Sequence, residues 1–345
     1  MIRAAVIGVG AIGRHHARVY TELENVELAA IADPDESRRA ALANRYKIAT
    51  YPDHQSLFEH ERLDVVSVAV PTVLHNAVAM MALERGIHVL VEKPIASAVP
   101  EAQQLIDTAA AGGLTLTVGH VERFNPAVIE LKQRINAGEL GRIFQYQAHR
   151  LSPFPPYIRD VGVVLDLATH ELDLMRYVVG SEVEHLHAEI GRHVHHRHED
   201  MLSGILRFGN GVVGVLDINW LTPTKVREAR ITGERGMFLL DYLKQEIYFY
   251  QNSQAPHDWD AMALFTGVGE GNMTKIFVNK VEPLQAQLRA FVDAAENHTP
   301  PIVSGGDGLR ALALAELLIA SGAEGRVINV AEEAARRGWP IAVGT

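Results

Sequence analysis

The chain opens on an apolar run, IRAAVI at 2–7, and then alternates short apolar runs with longer amphipathic stretches. Residues 27–32 (ELAAIA), 63–70 (LDVVSVAV), 87–91 and 114–118 have the length and near-continuous apolar character of strands buried on both faces. Between them, the stretches from Gly13 to about Leu23, and near 33–46, 73–84 and 100–111, predict helices. Asp35 is placed to cap or charge the first turn of the second. Strands alternating with helices over the first 119 residues predict a doubly wound parallel sheet.

After Gly119 the pattern changes. A helix is predicted over 125–137, a strand over 143–150 and a helix over 164–178, with the Pro-rich SPFPPY loop between the last two. From about 183 to 250 the strand runs VEHLHAEIG, DMLSGILRF, GVVGVLDINW, VREARITG and EIYFY dominate, separated by turn signals such as Gly209-Asn210-Gly211. The polar, Gly-containing stretch 251–275 reads as a loop, and helices are predicted near 282–297 and 305–323. The expected architecture is α/β with two domains. Residues 1–119 carry the parallel sheet, and residues 120–345 form an α+β domain with a large, mostly antiparallel open sheet.

Composition changes this picture little. Hydrophobic residues make up 48% and charged residues 21%, ordinary for a globular chain. With 32 Lys+Arg against 42 Asp+Glu, the net charge of −10 lacks the basic footprint of a nucleic-acid binder. There is no cysteine, which excludes disulfides, Cys-ligated metals and Cys nucleophiles. No apolar run reaches the length of a membrane span. The N-terminal MIRAAVIGVGAIG, broken by three glycines, reads as a first strand and turn and not as a signal peptide, and a cytoplasmic location is expected.

The chemistry begins at Gly8-x-Gly10-x-x-Gly13. It follows a strand and opens a helix, and Asp33 stands twenty residues on at the end of the second strand. That context predicts a dinucleotide site. The glycines, with Ala11 and Ile12 between them, would let the backbone approach a pyrophosphate at a helix N-terminus. Asp33 would accept from the adenosine ribose hydroxyls. A 2′-phosphate there would meet a like charge costing roughly 4 kcal/mol at ~4 Å and an effective dielectric near ~20, so NAD is expected over NADP. Arg38 and Arg39 lie on the following helix, where they could soften that preference or simply face solvent. Glu92-Lys93-Pro94 follows a strand, at the carboxyl edge where such sheets bind ligands. Lys93 could stabilise a developing alkoxide there. Asp166, His170 and Asp173, at i, i+4 and i+7, would share one helix face, and a histidine beside carboxylates suits proton transfer from a hydroxyl. Six histidines within 185–198 read as a solvated strand and turn, and no metal site is expected.

The order strand–GxGxxG–helix, EKP and DxxxHxxD resembles the Gfo/Idh/MocA oxidoreductase family over nearly the whole chain. The resemblance implies a Rossmann domain joined to an α/β domain whose open sheet mediates oligomerisation, here a tetramer or dimer. It also implies Lys93 and His170 as the catalytic pair with Asp166 beside them, and Pro71, Thr72, His75 and Glu92 at the cofactor. The segments GHVERFNPA, RLSPFPPYIRDVGVVLDLATHELDLMRY and NWLTPTKVREARITGERG are similar to the UDP-N-acetylglucosamine 3-dehydrogenase branch. That implies oxidation of the C3 hydroxyl of a nucleotide sugar. Arg123, Asn125, Arg150, Arg159 and Asp173 are then candidate substrate contacts. The alternatives are an inositol or free-sugar dehydrogenase, which would share every catalytic residue, and a non-catalytic NAD-binding regulatory protein. No nucleic-acid or membrane partner is expected.

Overall fold

The computed structural model describes residues 1–155, 161–252 and 270–341. The chain forms two units, Met1–Phe124 with Glu282–Ala313, and Asn125–Val281 with Leu314–Thr345. This division differs from a single boundary at residue 119, because Glu282–Ala313 returns to the first unit. The helix Pro283–Asn297 explains the return: its Leu288, Phe291 and Val292 are buried in one apolar cluster with Ala4, Val6, Val19 and Leu28. The second crossing falls inside the helix Gly305–Glu324, whose Leu314, Leu317 and Leu318 belong to the core of the second unit.

The first unit holds strands β1 (Ile2–Ile7), β2 (Val26–Ala32), β3 (Ala49–Tyr51), β4 (Val65–Val68), β5 (His88–Val91) and β6 (Leu116–Val118). Their order is β3-β2-β1-β4-β5-β6 and every pairing is parallel. The order reverses direction between β1 and β4, and ligands of such sheets bind at the carboxyl ends of the strands beside that point. Helix α1 (Gly13–Glu22) follows β1, and α2 (Glu36–Tyr46) starts where the Asp35 carboxylate accepts the Ser37 and Arg38 N–H groups. The helices α3 (His54–His60), α4 (His75–Leu83) and α5 (Val99–Gly112) complete the crossovers. Neither β3 nor α3 was expected. With only three and seven residues, they are too short to show a period.

The described residues of the second unit form nine strands: β7 (Ile143–Leu151), β8 (Val183–Gly191), β9 (Met201–Phe208), β10 (Val213–Asn219), β11 (Val226–Gly233), β12 (Gly236–Asp241), β13 (Glu246–Asn252), β14 (Glu270–Ile276) and β15 (Ile328–Asn329). Their order is β14-β13-β12-β11-β7-β10-β9-β8-β15, with β7–β10 parallel and the other described pairings antiparallel. Two expectations change here. The supposed loop 251–275 ends β13 at Asn252 and becomes strand again from Glu270, where β14 pairs with β13; residues 253–269 lie outside the described chain. The strand β12, GMFLLD, is a further strand beyond those expected; it follows β11 after only the two charged residues Glu234 and Arg235.

One face of this sheet is core. Tyr146, Ala148, Leu206, Leu216 and Phe238 are buried there with Ala127, Val128 and Leu131 of α6 (Pro126–Asn136) and with Leu172 and Met175 of α7 (Thr169–Val179). The other face is half-open. Val213, Val215, Asp217 and Asn219 of β10 alternate with buried neighbours and are only partly covered, and Ile205 of β9 is exposed.

Candidate active site

In the first unit β1 runs into Gly8, whose φ of +83° is costly for any residue with a side chain. A Cβ there would also stand 2.5 Å from the Ala69 carbonyl oxygen. At Gly13 a Cβ would stand 1.8 Å from the Gly8 carbonyl oxygen, so the first turn of α1 can close only over glycine. Around Gly10 the sole neighbour within reach among the described residues is the Arg38 guanidinium at 3.6 Å, which leaves the backbone open to a ligand. No side chain caps the start of α1 at Ile12, and that residue is exposed, as is Ala11. A glycine turn feeding an uncapped helix start is what a dinucleotide pyrophosphate requires.

Asp33 follows β2 and is buried. Its Oδ2 accepts the Val9 N–H at 2.8 Å and its Oδ1 accepts the Asp35 N–H at 2.9 Å. The carboxylate therefore braces the glycine turn, and each oxygen keeps a second lone pair for a ribose hydroxyl. Arg38 reaches to within 3.8 Å of the same Oδ2.

Glu92 and Lys93 follow β5. The Glu92 carboxylate accepts from His16 Nε2 at 3.1 Å and from the Lys93 backbone N–H at 3.2 Å. It presses on Gly119, where a Cβ would come within 2.8 Å of it. Burial alone would raise the Glu92 carboxyl, but His16, by hydrogen bond and charge, and the Lys93 ammonium hold it below its ordinary value. Glu92 thus orients the lysine segment from within. His16, fully buried on the inner face of α1, was missed by the sequence reading; its signal was only its place one turn after Gly13.

His75 lies at the start of α4, between the turn after β4 and the lysine segment. It is buried, and its ring spans the Pro94 carbonyl oxygen (Nδ1, 2.7 Å) and the Val70 carbonyl oxygen (Nε2, 2.9 Å). It ties the turn after β4 to the lysine segment, and burial pushes its imidazole below the ordinary value. Pro71 is exposed and Thr72 half-buried in the 3₁₀ turn just ahead of it.

In the second unit Asp166 lies in a π-helical turn, Val164–Ala168, that runs directly into α7. The uniform α-helix expected over 164–178 is therefore interrupted, a feature common at functional sites. Asp166 and His170 are both half-buried, whereas Asp173 is buried, so the three are not equally open. Glu171, beside His170, is fully buried and accepts from Arg150 Nε of β7.

That ion pair gives Arg150 a structural role. Arg123 likewise packs inside the first unit, 3.1 Å from Asp307 and donating to the Ile302 carbonyl at 3.3 Å. Asn125 caps α6 by accepting the Ala127 N–H, and its amide donates to the Tyr242 carbonyl at 3.1 Å. All three are buried, and no substrate contact is proposed for them. Arg159 lies outside the described residues. Among the described residues no three His, Asp or Glu side chains group as ligands of a metal ion, the histidines of 185–198 included, and no helix is long and apolar enough to cross a membrane.

A parallel sheet of this order, with its glycine turn and strand-end carboxylate, defines an NAD-binding Rossmann unit, and residues 2–120 match the NAD-binding Rossmann fold of an oxidoreductase family. Residues 128–239 match the C-terminal domain of the same family. The chain belongs to the Gfo/Idh/MocA oxidoreductases, and it is an NAD-dependent dehydrogenase. It is 31% identical to the UDP-N-acetylglucosamine 3-dehydrogenase of Acidithiobacillus ferrooxidans over 91% of this chain and 95% of that one. A solved structure of that enzyme superposes with a TM-score of 0.82 at 29% identity, covering 93% and 97% of the two chains. The myo-inositol 2-dehydrogenase of Thermotoga maritima is 27% identical over 91% and 94%. An oxidoreductase from Agrobacterium radiobacter, solved with NAD+, L-tartaric acid and magnesium, shares the fold at a TM-score of 0.84 and 22% identity, covering 96% and 99%.

Proposed function

We propose that this chain oxidises the C3 hydroxyl of a nucleotide sugar, UDP-N-acetylglucosamine, to the 3-keto sugar. The observation that carries the reading is the 31% identity to an enzyme of that activity across nearly the whole of both chains, against 27% for a full-length inositol dehydrogenase. In this reading His170 takes the proton of the hydroxyl. Lys93 holds the negative charge that develops on the same oxygen, a preorganised electrostatic role. Asp166 orients His170 or accepts from a neighbouring hydroxyl. Bound NAD supplies the acceptor for the C3 hydride. The turn at Gly8, Gly10 and Gly13 and the Asp33 carboxylate hold that cofactor, and Glu92, His16 and His75 set the lysine segment. The test is product identification: incubation with NAD and UDP-N-acetylglucosamine should yield NADH and a nucleotide sugar two hydrogens lighter, with the carbonyl located at C3 by NMR. A carbonyl elsewhere on the ring, or no product, refutes the reading.

The same reading includes self-association in the cytoplasm. On the half-open face of the nine-stranded sheet, Ile205, Val215, Leu239 and Tyr248 fall in one cross-strand row with Gln147 and Arg230, and Ile205 and Met273 are more than half exposed. A second copy of the chain would cover this surface, giving a dimer or tetramer. A monomer by light scattering at micromolar concentration would contradict it.

A further inference from the structure

At the start of the helix after Gly162, which has no side chain to offer, Val163 makes no side-chain capping bond. Yet this is the start of the helix that carries Asp166 and His170. The first N–H groups of any helix have no partner within it. Here they are met by a residue far along the chain. The Val163 N–H donates to the Glu199 backbone carbonyl at 2.9 Å, and the Val164 N–H donates to Glu199 Oε1 at 3.2 Å. A carboxylate in this position also suits the positive end of the helix dipole. Gly162 is fitted to it: a Cβ there would stand 2.0 Å from Glu199 Oε1.

Glu199 is itself held by the histidine-rich turn between β8 and β9. The neighbouring Asp200 is fully buried, and its carboxylate accepts the backbone N–H groups of His193, Val194 and His195. The Asp200 N–H donates to the Gly191 carbonyl, and the Trp220 N–H donates to the Asp200 carbonyl. His195 Nδ1 accepts the N–H groups of Arg197 and His198. The turn is therefore closed on itself and fastened to the ends of β8 and β10. Burial pushes the Glu199 carboxyl above its ordinary value, and the Val164 N–H works against that rise.

We infer that Glu199 is a positioning residue, whose carbonyl and carboxylate together fix the start of the helix that places Asp166 and His170. The histidine-rich turn is the mount for that residue. The inference rests on the proposed roles of Asp166 and His170, and its test separates the two. Glu199→Ala should lower kcat about 10–100-fold, the range in which small misplacements of reacting groups fall. KM and NAD affinity should change little. Glu199→Gln, whose amide oxygen can still accept the Val164 N–H, should keep kcat within about threefold. Gly162→Ala, which displaces the carboxylate without removing it, should lower kcat as Glu199→Ala does. The double variant should lose no more than either single one. Hydrogen exchange in the 163–167 segment should speed up in Glu199→Ala and Gly162→Ala but not in Glu199→Gln. Unchanged exchange in Glu199→Ala, additive losses in the double variant, or equal losses in the Gln and Ala variants would overturn the inference. If His170→Ala alone retains full activity, the proposed catalytic role fails, and the exchange result still decides whether Glu199 holds the helix.

Discussion

In the parallel sheet, Val65–Val68 is buried at every position; in the nine-stranded sheet, Val213–Asn219 alternates buried with half-buried. The first pattern belongs to a sheet covered on both faces, which can present a ligand only at its strand ends. There the constraints are backbone constraints: a positive φ at Gly8, a turn closed at Gly13, and a carboxylate at the end of β2. The second pattern leaves one face half-open and packs α7, the helix that carries His170, against the core face. Its constraints are side chains from distant points in the chain, Arg150 on Glu171 and Glu199 on Val164. The glycine turn and Asp33 are thus fixed by constraints on the backbone, and the helix that carries His170 by side chains from distant points in the chain, so the two units position their residues by different physical means.

Substitution can test this contrast. The largest effect should come from Lys93→Met and His170→Ala, each lowering turnover of UDP-N-acetylglucosamine about 10²–10⁴-fold. NAD affinity, followed by fluorescence, should stay near the wild-type value because the glycine turn and Asp33 carry it. The two losses should be non-additive if, as proposed, both groups act on one oxygen. A matching collapse of NAD binding would show that the two residues hold the cofactor and do not act on the hydroxyl alone. Asp33→Ser should come next, raising the NADP-to-NAD ratio of kcat/KM by roughly 30–100-fold, less than the bare like-charge repulsion allows because Arg38 stands close to the same site. A wild-type enzyme that already prefers NADP would contradict this account of the strand-end carboxylate.

A smaller effect sharpens the comparison inside the first unit. Burial works against the Asp307 charge, but Arg123 and the Ser304 N–H and hydroxyl hold its carboxyl down at about 2. A folded value below the unfolded one contributes stability above the unfolded value and loses it as pH falls from 3.8 towards about 2. Asp307→Asn should therefore cost about 2 kcal/mol at neutral pH and flatten that acid limb in denaturant unfolding. A variant as stable as wild type, with the same acid limb, would show that the pair contributes nothing.

Much of the first unit was readable from the sequence because its constraints are local. Three glycines at fixed offsets, an aspartate at a strand end and a lysine after another strand each announce themselves within a few residues. That His75 is also a buried brace between two carbonyls was not legible, because its partners Val70 and Pro94 are 5 and 19 residues away. In the second unit the DxxxHxxD spacing located the helix, but its π turn, its cap from Glu199 and the ion pairing of Arg150 with Glu171 depend on partners 21 and 35 residues away, which no local pattern encodes. The return of Glu282–Ala313 to the first unit was hidden for the same reason, since an amphipathic helix does not declare which core it joins.

The central claim is that these two units together oxidise a nucleotide sugar with NAD. Its most direct test is steady-state NADH formation from UDP-N-acetylglucosamine, myo-inositol and scyllo-inositol under identical conditions. The account expects kcat/KM for the nucleotide sugar to exceed that for either inositol by about tenfold or more, as a site built for the larger substrate should discriminate. Oxidation of an inositol with none of any UDP-sugar would contradict it.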